Sequence, residues 1–90
     1  MKVVINKCFG GFSLSEKAYK ELGIPWDNYG YAMNNDRANP KLVEAVEKLG
    51  DLAGGRHAWL SVVEIPDDIE WDIDEYDGME CVEEKHRSWS

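Results

Sequence analysis

The stretch Ile69-Glu70-Trp71-Asp72-Ile73-Asp74-Glu75-Tyr76-Asp77-Gly78-Met79-Glu80-Cys81-Val82 decides the fold. From Ile69 to Asp74 it alternates strictly. Ile69, Trp71 and Ile73 fall on one side, and Glu70, Asp72 and Asp74 on the other. A period of two is the mark of a half-buried strand. Asp77-Gly78 follows, a dipeptide suited to the positive φ angles of a tight hairpin turn. Met79 to about His86 then reads as the returning strand. One feature opposes this pairing: Glu75 and Glu80 would face each other across the turn, and like charges there are unfavourable. A helix from Met79, with Met79, Val82, His86 and Trp89 on one face, is the competing reading; the turn signal favours the strand.

Working outward, Trp59–Ile65 reads as another strand, closed by Pro66-Asp67-Asp68. At the other end of the chain, residues 2–7 carry the unbroken β-branched run Val3-Val4-Ile5, as in a strand buried on both faces. Cys8-Phe9-Gly10-Gly11-Phe12 allows a sharp reversal. Ser13 and Glu16 have the spacing of a capping box, which predicts a helix over 14–22 that stops at Gly23. Residues 23–38, with Pro25, Gly30 and Asn34-Asn35-Asp36, read as a long loop holding Trp26, Tyr29 and Tyr31. Those rings either serve a function or pin the loop to the core. Asn39 as N-cap and Pro40 at the first position open a second helix, with Leu42, Val43, Ala45, Val46 and Leu49 as its apolar stripe and Gly50 as its stop. The order is β-α-loop-α-β-β-β. It predicts one α+β domain over residues 1–90, with two helices packed on one face of a small, mainly antiparallel four-stranded sheet.

Composition narrows the function classes. The chain has 90 residues, a formal net charge of −8 and 43% hydrophobic residues, too apolar for a disordered chain. No apolar run nears the ~18 residues of a membrane span, and the N-terminal apolar stretch is too short for a secretory signal. A cytoplasmic, membrane-free protein is expected. Residues 1–63 hold eight Lys/Arg and seven Asp/Glu, a net of +1, whereas residues 64–90 hold two and eleven, a net of −9. The whole excess therefore lies in the last third. Such a cluster repels a nucleic-acid backbone and attracts basic surfaces, so direct nucleic-acid binding is not expected. Its plainer reading is a solvated face that aids solubility.

Several constellations bear on chemistry. The strand, the Gly10-Gly11 loop and a helix start at Ser13 would together offer amide N–H groups to a phosphate, with Phe9 and Phe12 flanking a ring. The pattern is neither a P-loop nor a dinucleotide fingerprint, and it reads equally as a tight turn with core phenylalanines. Cys8, with His57 or His86 as base, is better explained as a structural cysteine. Cys8, Cys81, His57 and His86 lack the close pairing of zinc ligands. Asp72-Ile73-Asp74-Glu75-Tyr76-Asp77-Gly78 departs from an EF-hand loop, because the glycine falls one position late and Tyr76 occupies a ligand position. No metal, cofactor or catalytic residue is expected.

Two segments carry a resemblance: Val3-Val-Ile-Asn-Lys-Cys-Phe-Gly-Gly-Phe-Ser-Leu-Ser15 and Ile73-Asp-Glu-Tyr-Asp-Gly-Met-Glu-Cys-Val-Glu-Glu-Lys-His-Arg-Ser-Trp89. Together they resemble a group of small bacteriophage and prophage proteins. The resemblance implies a phage accessory protein and brings no assigned functional residues. By analogy with other small acidic phage proteins, it implies an inhibitor of a host defence system, in the manner of anti-CRISPR proteins.

The expected function is thus a non-enzymatic interaction protein. It would dock an acidic hairpin face, with Glu70, Asp72, Asp74 and Asp77 for electrostatics and Trp71 or Trp89 as anchor, on a basic surface of a host protein. The alternative is a small-molecule binder holding a phosphate-bearing or nucleotide ligand at Phe9, Gly10, Gly11, Phe12 and Ser13.

Overall fold

Val3, Val4 and Ile5 form the middle of β1 (Lys2–Asn6), and all three are buried, as an unbroken apolar run requires. β1 pairs antiparallel with β2 (Leu60–Glu64), with Val4 opposite Val62. β3 (Trp71–Tyr76) pairs antiparallel with β4 (Met79–Glu84), with Tyr76 opposite Met79. The computed structural model describes residues 1–84. Between β1 and β2 lie α1 (Glu16–Leu22), α2 (Pro40–Leu49) and a short 3₁₀ turn, Gly50–Leu52. The fold is α+β, and its four strands form two antiparallel pairs.

α2 begins as its sequence dictates. The Asn39 side chain accepts a hydrogen bond from the Lys41 amide, and Pro40 occupies the first turn. Leu42, Val43, Ala45 and Val46 face the core. Lys48 reaches Glu21 on α1 at 3.0 Å and ties the two helices together. Most of the core is one cluster built from Val4, Phe12, Leu14, Tyr19, Leu42, Val46 and Leu60 together with smaller neighbours.

α1 starts two residues later than the capping-box spacing predicts. Its N-cap is Ser15, whose side chain accepts from the Ala18 amide. Long-range backbone bonds explain the shift. The Leu14 amide donates to Gly30, the Ser15 amide to Ala53, and the Ser13 carbonyl accepts from Gly55. Those bonds hold residues 13–15 extended, so Leu14 is buried by tertiary contacts and not by a helical face. Gly23 ends α1 in the left-handed conformation, at φ 74°.

β1 and β4 lie side by side without sharing a ladder. Odd-numbered residues of β1 bond to β2, as the Lys7–Trp59 and Ile65–Met1 bonds at its ends show. The opposite edge is closed mainly by side chains. The Val4 amide donates to the Arg37 carbonyl at 2.9 Å, and the Asn6 amide donates to Glu80 Oε1 at 2.8 Å. Glu80 thereby does what a neighbouring strand's carbonyl would do.

The strand reading of residues 79–84 holds, and the Glu75–Glu80 objection dissolves. The two are paired in register, but Glu80 is buried against Arg37, while Glu75 accepts from the Gly78 amide. Residues 85 and 86 of the expected strand lie outside the described residues. Among the described residues, no helix is long and apolar enough to cross a membrane.

Candidate functional site

The β3–β4 hairpin turns at Asp77-Gly78, with φ 51° and 89°. Two successive positive φ values match the right-handed twist of the strands, which is why this dipeptide is favoured. The turn is docked into the body. The Asn6 side chain, fully buried, donates to the Gly78 and Cys8 carbonyls and accepts from the Trp59 and Cys8 amides. Every hydrogen-bonding position of that amide group is used.

Arg37 holds the hairpin further along. Nη1 and Nη2 donate to Glu80 Oε1 and Oε2 at 2.6 and 2.9 Å. The other three N–H groups reach the Asn34 carbonyl, Asn34 Oδ1 and the Val4 carbonyl. All five guanidinium donors are thus satisfied. The guanidinium also lies 3.7 Å from the centre of the Phe12 ring. Beneath the hairpin, Trp71 and Ile73 face Asn34, Asn35 and Arg37 across a cavity of about 360 Å³.

With the inner face so committed, the acidic side chains take the outer face. Asp72, Asp74, Tyr76, Met79, Cys81 and Glu83 all project outward and are exposed. Glu70 is exposed just ahead of β3, and Asp77 is exposed in the turn. Among the described residues none of these carboxylates has an ion pair; in this region Asp67 pairs with the N-terminus and Glu80 with Arg37. Asp74, Cys81 and Glu83 each bring one polar atom within 4.8 Å of the others, which concentrates negative charge there. Trp71, half-buried on the inner face, is separated from these acids, whereas Tyr76 is 74% exposed among them. Trp89 lies outside the described residues.

The glycine loop is arranged differently from the phosphate cradle its sequence offered. Phe12 is buried under Arg37, and Phe9 is 60% exposed. Gly10 packs on His57, and Gly11, at φ 88°, faces open space. Ser13 is two residues short of the helix cap, in extended chain tied to Gly55. The expected helix start at Ser13 is therefore corrected. Gly10, Phe12 and Ser13 instead border a cleft of about 480 Å³ between the 26–31 and 54–57 segments. Cys8 and Cys81 are free thiols.

Neither a family model, a curated protein nor a solved structure matches this chain.

The 26–31 wall is shaped by Asp27. Its Oδ1 accepts from the Tyr29 and Gly30 amides, and its Oδ2 accepts from the Tyr19 hydroxyl. That hydroxyl in turn accepts from the Ala32 amide. The Gly30 and Tyr29 amides hold the Asp27 carboxyl below its ordinary range, and burial raises the Tyr19 hydroxyl above its own. Tyr19 also meets Trp26 edge to face at 4.9 Å.

Sequence reasoning located the acidic face but missed its support. Glu80 is in phase with Val82, on the inward side of β4, and that phase was the available signal. Nothing local marks Arg37 as buried.

Proposed function

We propose that the chain is a non-enzymatic interaction protein that docks the outer face of its β3–β4 hairpin on a basic surface of another protein. The observation that carries this reading is the exposed carboxylate array around Tyr76 and Met79, which has no ion pair among the described residues. Between Glu64 and Glu84 the sequence has no Lys or Arg. Unneutralised like charges on one face repel each other, and a cationic partner relieves that cost. Tyr76 gives the face an aromatic anchor that burial in an interface would reward. The anchor role expected of Trp71 passes to Tyr76, because Trp71 is turned inward.

The resemblance to phage accessory proteins supports a host protein as the partner. On this reading the protein inhibits a bacterial defence complex in the host cytoplasm, as anti-CRISPR proteins do, by covering a basic surface that otherwise holds nucleic acid.

The test is affinity capture from host lysate at low and high salt, with the native chain beside a Glu70→Lys, Asp72→Lys, Asp74→Lys variant. Salt-sensitive capture by the native chain that the triple variant loses, with its circular dichroism unchanged, supports the reading. Equal capture by both chains overturns it.

A further inference from the structure

The cleft between the 26–31 and 54–57 segments differs in character from the hairpin. Its walls present Trp26, Tyr29 and Tyr31 from one segment and Arg56 and His57 from the other, with Glu16 also lining it. Tyr29 and Tyr31 are 71% and 63% exposed, and their rings are stacked with planes 10° apart. Large rings left this open cost solvation free energy that burial against another group would recover.

The cleft is preformed. Both walls are bonded to the extended segment 13–15, through Leu14 to Gly30 at 2.7 Å and through Gly55 to Ser13 at 3.0 Å. Asp27 fixes the aromatic wall from behind, as described above. The rings therefore stand on a backbone that has little ordering entropy left to lose on binding.

Charge selects the ligand. Arg56 is exposed, and among the described residues its side chain has no hydrogen bond or ion pair. Glu16 stands in the first turn of α1, where the helix amides already complement a carboxylate. Arg56 has no such complement, and its planar fork suits a carboxylate or phosphate.

We propose that this cleft binds a planar aromatic ring carrying one anionic group, with the ring against Tyr29 and Tyr31 and the anion on Arg56. A nucleoside monophosphate and an aromatic carboxylate share that chemistry. The site is independent of the hairpin face, and either can fail without the other.

The test is an NMR titration of the intact chain with adenosine monophosphate, indole-3-acetate, adenosine and inorganic phosphate. At least one of the two ring–anion probes shifts the Tyr29 and Tyr31 ring signals and the Arg56 Nε–H signal saturably, and which one does so distinguishes the two sources. Adenosine and phosphate each bind roughly tenfold more weakly or worse, the loss expected for a missing charge-assisted contact. Arg56→Ala weakens the ring–anion probe by a similar factor and leaves adenosine unchanged. Tyr29→Ala weakens both, and unchanged β3–β4 signals show that each variant is folded. Failure of both ring–anion probes to saturate at millimolar concentration overturns the proposal, as does an affinity unaffected by Arg56→Ala.

Discussion

Arg37 and Glu80, 43 positions apart in the chain, meet through two hydrogen bonds of 2.6 and 2.9 Å, both in buried surroundings. Removing one partner of such a pair strands the other charge in the interior, at a cost of about 3–5 kcal/mol. Glu80→Ala also strips the Asn6 amide of its acceptor. It should lower the urea midpoint markedly, because that cost is a large share of the stability of a small domain. Glu80→Gln keeps an acceptor for Asn6 and should lose less. If urea melts place the two variants together, the strand-edge role assigned to this carboxylate is wrong.

Asn6→Asp tests the neighbouring junction. One oxygen would still accept from the Cys8 and Trp59 amides, but the other would face the Cys8 and Gly78 carbonyls, to which Asn6 now donates. Three oxygens without a proton repel. The folded state raises the pKa of the introduced carboxyl, so the destabilisation is full above that raised value, shrinks as pH falls through it and is gone by the unfolded value of ~3.9. Denaturation of variant and native chain at neutral and acid pH should show the gap narrowing. A gap independent of pH would contradict the hydrogen-bond assignment of Asn6.

Gly78→Ala separates the hairpin from the rest. A Cβ there meets the Phe9 carbonyl and the Gly11 amide, at a φ of 89° that alanine resists. The expected loss is about 2–5 kcal/mol, concentrated in docking of the turn. Hydrogen exchange should show the β3 and β4 amides and the Asn6 amide losing protection while the amides of the β1–β2 ladder keep theirs. Asp77→Asn, a residue that tolerates the left-handed region, should leave stability within about 0.5 kcal/mol.

Asp27 ties the aromatic wall to pH. Its carboxyl is held below the ordinary range in the folded chain, so its contribution is present above the unfolded value of ~3.9 and is lost as pH falls through the lower, folded value. Trp26 fluorescence should report loosening of residues 26–31 only under strongly acid conditions. In Tyr19→Phe, which leaves Asp27 Oδ2 and the Ala32 amide without that hydroxyl, stability should fall by about 1–3 kcal/mol. Unchanged Trp26 emission down to the onset of global unfolding would show that Asp27 does not hold this wall.

Local signals made much of this fold legible. Alternation around Trp71, the Asp77-Gly78 turn and the Asn39-Pro40 helix start are each written in a few adjacent residues. What stayed hidden depended on partners far along the chain. The Ser13–Glu16 spacing satisfies a capping rule, yet bonds to Gly30, Ala53 and Gly55 move the helix start to Ser15. The four strands were readable one by one, but not the way Glu80 stands in for a ladder bond between β1 and β4. The acidic face was legible because it needs no partner within the chain. Arg56 stayed hidden because the cleft it lines together with Tyr29 and Tyr31 is made only by folding.

The closure of β1 has a consequence for the birth of the protein. On a ribosome, Val3-Val4-Ile5 emerges well before Leu60–Glu64, its ladder partner on one side, and before Arg37 and Glu80, which complete the other edge. A sticky β-branched segment therefore waits through the synthesis of both helices before its ladder partner appears. Such late, long-range closure is slow and exposes nascent chains to misassociation. Expression temperature and chaperone supply should govern the soluble yield of this protein more strongly than its acidic composition suggests.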